Sequence, residues 1–469
     1  MSKETQSLAR QRIEALLDAS SFVEIGAKVT ARNTDFSLSE KSMPSDGVIT
    51  GYGVIDGSLV YVYSQDASVL HGTVGEMHAR KIVNLYKMAM KMGAPVIGLI
   101  DSAGMRLEES TDALNGFGQI YMAQADASGV IPQITGIFGT CGGGMALVPA
   151  MSDFTYMEEK KAKLFVNSPN ALEGNIDSVC DTAAAAFQSQ EAGMVDGTGT
   201  EEEIIASIRK LVAMLPSNNE DDMSYGECLD DLNRSCQGIQ SLVADPAAYL
   251  PMISDAQTYV ECKSAYGTDM VTAFIKLNGV TVGVVANKDA EGKGAVLSAR
   301  GAGKAAQFVQ FCDAFSIPVV TFTNVRGYKA TKCSEANMAR SVAKLTYAFA
   351  NATTPKVNVI TGETLGSAYL TMNSKSVGAD LVFAWTDAKI GMMNAQSAAK
   401  IMYEGADAAT LKKEAAKYDA LHNGVESAAR RGYVDTIIAA EDTRKYLIGA
   451  LEMLFTKREY KPDKKHGTV

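Results

Sequence analysis

Two stretches far apart in the chain carry one hydrophobic pattern. In GYGVIDGSLVYVYSQDA (51–67) and AFIKLNGVTVGVVANKDA (273–290), strand-length apolar runs are broken at Asp-Gly or Asn-Gly, a tight-hairpin signature. Gly57 and Gly279 hold the same turn position in the two stretches. A helical period follows each hairpin. Over 76–92, Ile82, Leu85, Ala89 and Met92 fall on one face and Gly93 ends the helix. Over 303–315, Phe308, Phe311, Cys312 and Phe315 do the same.

The correspondence continues. APVIGLIDSAG (94–104) matches IPVVTFTNVRG (317–327), and IPQITGIFGTCGGGMA (131–146) matches TPKVNVITGETLGSAY (354–369). One and the same offset takes Pro95 to Pro318 and Pro132 to Pro355. MVDGTGTEEEIIASIRKLVAML (194–215) matches YVDTIIAAEDTRKYLIGALEML (433–454) at a larger offset, so the second half carries about 16 extra residues. The charged helical stretch 402–421 is the candidate insertion. Each half reads hairpin, helix, strand, glycine turn, helix, strand, glycine turn, helix, which is an α/β duplication. Domains are expected at 1–235 and 236–469, joined by a connection within 216–250.

The segment FGTCGGGMALVPAMSDF (138–154) puts Gly142, Gly143 and Gly144 between two apolar runs. Its counterpart is Gly366-Ser367-Ala368-Tyr369. A helix N-terminus has N–H groups without acceptors and a partial positive charge, and glycine lets a ligand approach. The expected oxyanion donors are the amides of Gly143 and Gly144 in one half and of Ser367 and Ala368 in the other. The competing explanation is tight strand–helix packing. Neither GxGxxG nor GxxxxGK[ST] occurs at these turns, which argues against nucleotide binding. No GxSxG or HExxH occurs, and no protein base stands out, so a substrate or cofactor is expected to supply the base.

Length and charge narrow the classes. The 469 residues suit two domains, and 46% hydrophobic with 21% charged residues is ordinary globular composition. A net charge of −10 argues against a nucleic-acid partner. The N-terminus shows no signal-peptide core and no segment reaches about 18 apolar residues. Seven scattered cysteines without CxxC spacing and four dispersed histidines predict cytoplasmic reduced thiols and no metal site.

Several long segments, in order, give the resemblance: DGVITGYGVIDGSLVYVYSQD, GEMHARKI, GAPVIGLIDSAGMRLEE, ASGVIPQITGIFGTCGGGMALVPAMSDF, LPSNN, FVQFCDAFSIPVV and MNSKSVGADLVFAW. Over roughly 10–455 the chain resembles the carboxyltransferase subunits of biotin-dependent acyl-CoA carboxylases and decarboxylases. The family includes propionyl-CoA carboxylase β and the α subunits of glutaconyl-CoA and methylmalonyl-CoA decarboxylases. The resemblance implies two crotonase-like (ClpP/crotonase) ββα-spiral domains, acyl-CoA on the N-terminal half and biotin on the C-terminal half. It implies a trimer-of-dimers hexamer with sites between halves of different subunits. In the family, carboxybiotin releases CO2, the ureido anion takes the α-proton of the thioester, and the enolate attacks CO2. Gly143 and Gly144 would then face the thioester oxygen, and Ser367 and Ala368 the ureido oxygen. Gly142, Arg106, Gly366, Tyr369 and Gly327 are expected around the bound groups. The biotin would ride on a separate biotin carboxyl carrier protein, with a biotin carboxylase subunit or membrane decarboxylase subunits as further partners. Met90-Lys91-Met92 repeats the carrier's biotinylation tripeptide, but in a helical context that excludes it.

Three departures stand out. LEGNIDSVCDTAAAAFQS lacks the family's Gly-Gly-Ala…His stretch. NVRGYKATKCSE has Arg326 where the family has proline and lacks its second glycine. Ser367 replaces glycine, and a serine there is strained if the position is left-handed. Arg106 is a candidate for a CoA phosphate or for an ion pair with Glu108 or Glu109. Lys160, Lys161 and Lys163 are candidates for CoA phosphates or a solvated face, and Asp101 for loop orientation or a turn. The direction of the half-reaction stays open: carboxylation, or decarboxylation as the α subunit of a sodium-pumping enzyme. A crotonase-type hydratase or isomerase would need a paired Glu, with Glu173 the candidate, and a non-catalytic paralogue is the remaining alternative.

Overall fold

The structure, a computed structural model, describes residues 6–32, 43–175, 180–221 and 226–464. Residues 176–179 of the divergent 172–189 stretch, 222–225 of the connection, and His466 lie outside the described residues. The chain divides into two compact units, Met1–Asp221 and Asp222–Val469. Residues 226–235, expected with the first half, group with the second. Arg234 donates to Met252 O (2.7 Å) and the Cys236 amide to Glu441 O (2.8 Å), which ties this segment to the C-terminal core.

The first unit runs α1 (Leu8–Leu16), β1 (Val23–Ile25), β2 (Val48–Ile55), β3 (Ser58–Gln65), α2 (Glu76–Met92), β4 (Val96–Ser102), α3 (Ser110–Ala127) and β5 (Gln133–Gly142). It closes with α4 (Leu147–Ala150), β6 (Phe154–Glu158), β7 (Lys163–Phe165), α5 (Ala185–Gln190), β8 (Gly197–Gly199) and α6 (Glu201–Val212). The sheet order is β1-β2-β3-β4-β5-β6-β8, with β7 paired to the end of β5. Strands β1 to β3 are antiparallel and those from β3 onward parallel. The parallel part needs helical crossovers, and α2 and α3 supply them. Ile82, Leu85 and Ala89 of α2 are buried with Tyr61, Tyr63, Ile100 and Ile137 in the main core. Met92, expected on that face, is exposed.

The second unit repeats the order. It holds α7 (Pro246–Ile253), β9 (Tyr259–Cys262), β10 (Met270–Leu277), β11 (Val280–Asn287), α8 (Ala299–Ala314), β12 (Val319–Thr323), α9 (Lys332–Asn351), β13 (Lys356–Ile360) and β14 (Glu363–Leu365). Then come α10 (Gly366–Thr371), β15 (Leu381–Trp385), β16 (Lys389–Gly391), α11 (Ala395–Met402), α12 (Ala408–Tyr418), α13 (Val425–Arg430), β17 (Thr436–Ile438) and α14 (Thr443–Leu454). Its main sheet is β9-β10-β11-β12-β13-β15-β17, and β14 pairs with β16. The single long β5 of the first unit is thus two strands, β13 and β14, in the second.

Both hairpins turn as the sequence requires. Asp56 and Gly57 have φ of 48° and 82°, and Asn278 and Gly279 have 52° and 78°. Two successive left-handed residues make the turn whose twist matches the strands. The extra residues of the second unit fall between β16 and α13, and α12 lies within the expected insertion.

Candidate functional site

Strand β5 brings Gly142 to the turn in extended conformation, φ −114° and ψ 154°. Gly143 then turns left-handed, φ 62°, and a helical turn Gly143–Ala146 leads into α4. First-turn amides have no acceptor inside a helix, so the N–H groups of Gly143 and Gly144 are available to a ligand. The three glycines have three different causes. A Cβ on Gly142 would lie 2.8 Å from the Phe165 ring, so its bareness serves packing. Gly143 needs the left-handed backbone, and its missing side chain opens on space with nothing within 4 Å. A Cβ on Gly144 would come 2.9 Å from Tyr121 Oη.

The second turn has the same backbone. Leu365 is extended, φ −132° and ψ 143°, and Gly366 is left-handed at 65° where α10 begins. Gly366 therefore matches Gly143, and the donors matching Gly143 and Gly144 are Gly366 and Ser367, one residue earlier than the sequence reading. Ala368 corresponds to Met145 and is buried. Ser367 sits inside α10, outside the left-handed positions, so the expected strain does not arise. Exposed apolar residues flank both turns at matching positions: Leu147 and Val166 beside the first, Leu370 and Met392 beside the second.

The loops before each turn also repeat. The Val74 amide donates to Gly104 O (2.8 Å) and the Arg106 amide to Val74 O (3.0 Å). The Leu297 amide donates to Gly327 O (2.9 Å) and the Lys329 amide to Leu297 O (2.9 Å). Gly104 and Gly327 have φ of 105° and 156°. Gly327 thus anchors a loop through its carbonyl.

Arg106 is not a phosphate ligand. It is fully buried, with Nη1 2.6 Å from Asp46 and 2.8 Å from Glu109, and Nη2 donates to Thr73 O at 2.8 Å. A guanidinium held by two carboxylates inside the core has no donor facing solvent. Glu109 also accepts from the Glu76 amide (2.6 Å), so the cluster caps α2 and clamps the 103–109 loop to it. Desolvation raises the Asp46 carboxyl, against the pull of Arg106.

His78 lies behind this cluster, fully buried, and burial pushes its imidazole well below the usual range. Nδ1 lies 2.9 Å from Asp46 O and Nε2 lies 3.1 Å from Gln65 Nε2. A carbonyl only accepts and an amide nitrogen only donates, so Nδ1 carries the proton and the ring is neutral. Gln65 Nε2 also points at Met145 Sδ, 3.8 Å away, within the glycine turn's helix.

Sequence reasoning missed Tyr121, Gln65 and Asn287. Tyr121 Oη donates to Gly144 O at 2.6 Å and braces the first turn. Gln65 Oε1 accepts from the Asp101 amide (3.3 Å), and Asn287 Oδ1 from the Asn324 amide (3.1 Å), at repeat-equivalent positions. Polar residues ending the apolar runs YVYSQ and VVAN were the available signal. Tyr121 left none, because it reads as one aromatic on an amphipathic helix.

The other candidates are placed as follows. Tyr369 is half-buried against the small apolar cluster that includes Ile390, Val425 and Val434, and burial pushes its phenol up to about 12. Asp101 pairs with Arg12 at 3.2 Å, which gives it a structural partner. Lys160 pairs with Glu159 (3.3 Å) and Lys163 with Asp181, while Lys161 is exposed. Arg326 pairs with Glu363 at 2.6 Å. Glu173 is exposed in a turn, and Lys91 lies on α2, as its exclusion as a biotinylation site requires. Among the described residues no group of three His, Cys, Asp or Glu is placed to hold a metal, and no helix is long and apolar enough to cross a membrane.

Two ββα repeats, each ending a strand on a left-handed glycine that opens a helix, define a duplicated crotonase-like enzyme. A family model described as the carboxyl transferase domain matches residues 2–469. The chain is 39% identical to methylmalonyl-CoA decarboxylase subunit alpha of Veillonella parvula, over 98% of this chain and 92% of that one. It is 37% identical to the propionyl-CoA carboxylase carboxyltransferase subunit of Haloferax mediterranei, over 98% and 93%. A transcarboxylase 12S crystal structure, described as a hexamer assembly with hydrolysed methylmalonyl-coenzyme A bound, matches with TM-score 0.93 and 35% identity, over 98% and 92%. The chain belongs to the carboxyl transferase family, and within it is an acyl-CoA carboxyltransferase.

Proposed function

We propose that the chain is the carboxyltransferase subunit that moves a carboxyl group between biotin on a separate carrier protein and the α-carbon of an acyl-CoA. Methylmalonyl-CoA and propionyl-CoA are the pair named among its relatives. The observation that carries this reading is the repeated turn: left-handed Gly143 and Gly366, each opening a helix with unused amides. In this reading Gly143 and Gly144 hold the thioester oxygen as it gains enolate charge. Gly366 and Ser367 hold the ureido oxygen. Such donors act where charge develops, and losing one costs about 2.7–4 kcal/mol of transition-state binding.

The second turn suits a biotin ring. Its amides meet a carbonyl oxygen, and exposed Leu370 and Met392 offer apolar surface to the rest of the bicycle. When bound, carboxybiotin supplies the carboxyl group and the base. The chain's part is to orient both ligands, stabilise negative oxygen and keep water out. Exposed Glu173, in a turn, gives no support to a hydratase pair. The relative in Veillonella, a decarboxylase subunit, favours the decarboxylating direction as a second reading. A biotin carboxyl carrier protein, a carboxylase or membrane subunit, and a hexamer of this chain complete the proposal.

The test combines purified protein, free biotin and a panel of malonyl-type CoA thioesters. Biotin-dependent decarboxylation is expected. Biotin-independent turnover of an enoyl-CoA, or failure to bind any CoA ester, overturns the reading.

A further inference from the structure

The two repeats carry opposite residue sizes at one pair of offset-matched positions. His71 has a left-handed backbone, φ 55°, between Leu70 at 46° and Gly72 at 65°. An L side chain is strained there. Its counterpart, at the offset that takes Pro95 to Pro318, is Gly294, φ 94°. Ala103, whose amide donates to His71 O at 3.0 Å, has Arg326 as its counterpart, whose amide donates one residue further along, to Ala295 O at 2.9 Å. A Cβ on Gly294 would fall 2.6 Å from Arg326 Nη1 and 2.8 Å from its Cζ, so the guanidinium lies over Gly294. The first unit pairs a large residue at 71 with a small one at 103, and the second reverses the sizes. In both, the large residue carries nitrogen donors.

These positions adjoin the glycine turn in each unit. Gly104 follows Ala103, and a Cβ on it would lie 3.1 Å from Gly142 O. Arg326 is tied to Glu363 (2.6 Å), on the short strand that ends at Leu365. The His71 ring is exposed and has no hydrogen-bond partner among the described residues. Filling space alone explains neither the nitrogen in both repeats nor a side chain kept on a strained backbone. A leucine over a relaxed loop would fill it as well.

The geometry points to His71 as a ligand-binding side chain at the first turn, donating to the carboxylate of a malonyl-type thioester, with Arg326 the matching donor for the carboxyl group at the second. This rests on the carboxyltransferase reading and adds to it a residue that selects dicarboxylic thioesters.

Calorimetric titration of the full-length protein with methylmalonyl-CoA and propionyl-CoA tests it, since the two probes differ by one carboxylate. The wild type is expected to bind methylmalonyl-CoA at least tenfold tighter. His71→Gly brings the two Kd values within twofold by weakening methylmalonyl-CoA alone, with Tm unchanged or raised because the strain is gone. Adding Ala103→Arg to His71→Gly sets the second unit's glycine and arginine at these two positions and restores at least half of the lost factor. Arg326→Gln lowers kcat of biotin-dependent decarboxylation at least tenfold at unchanged KM for free biotin, whose ureido ring has no carboxyl group to hold, and an unchanged kcat overturns its assignment. Discrimination that survives in His71→Gly, equal weakening of both esters, or no discrimination in the wild type overturns the assignment of His71. If both esters bind but no biotin-dependent turnover follows, the proposed function fails while the binding comparison still decides this inference.

Discussion

Gly143 and Gly366 adopt the same left-handed backbone, φ 62° and 65°, each directly after an extended residue and at the first position of a helix. The offset between them is the one that also relates Pro95 to Pro318. The duplication therefore preserves the backbone that presents amides, while the neighbouring side chains diverge, as Gly144 does to Ser367.

Arg106→Gln is expected to destabilise the first unit by about 3–5 kcal/mol, because it leaves Asp46 and Glu109 buried without their counter-charge. Urea unfolding measures this. CoA affinity of the folded protein should stay within twofold. A stable variant with weakened CoA binding would return Arg106 to a phosphate role.

Tyr121→Phe removes the hydrogen bond to Gly144 O and little else, since the ring keeps its contact with Phe117. A net hydrogen bond is worth about 1 kcal/mol, so kcat should fall roughly fivefold with KM for the acyl-CoA unchanged. A rise in KM at constant kcat would place the hydroxyl on the substrate instead of on the turn.

His78 makes the first unit acid-sensitive. Its folded pKa is depressed, so the unfolded chain binds the proton that the folded one refuses. Stability from this group is full above the unfolded value, about 6.5, and falls as pH drops below it, by up to about 1.4 kcal/mol per pH unit. Asp46, raised by desolvation, has the opposite sign, so the comparison must be with His78→Gln. Chemical denaturation at pH 7.5 and 5.0 should show a larger loss in the wild type than in that variant. Equal losses would contradict the neutral imidazole.

Much of the fold was legible because hairpins, buried strands and helix ends are local signals. Asp56-Gly57 and Asn278-Gly279 announce their turns, and apolar spacing in α2 announces its buried face. What stayed hidden depends on partners distant in sequence. Gly142 is bare because Phe165 lies across the strand pair, whereas its counterpart Leu365 keeps a side chain because the partner there is Gly391. The donor register slipped by one in the second half because Gly366, not Ser367, takes the left-handed position. For Arg106 the ion pair with Glu109 was one of the two readings SAGMRLEE allowed, but nothing there reveals Asp46, far earlier in the chain, as the second buried partner that takes up the guanidinium.

The most direct test of the twin turns is biotin-dependent decarboxylation of methylmalonyl-CoA by Gly143→Ala and Gly366→Ala, each measured with its affinity for the CoA ester. A Cβ on a left-handed residue displaces the amides it carries. Each variant should lose about 10²–10³ in kcat, and Gly366→Ala should bind the CoA ester as the wild type does. Turnover that survives either substitution, or proceeds without biotin, would contradict the account.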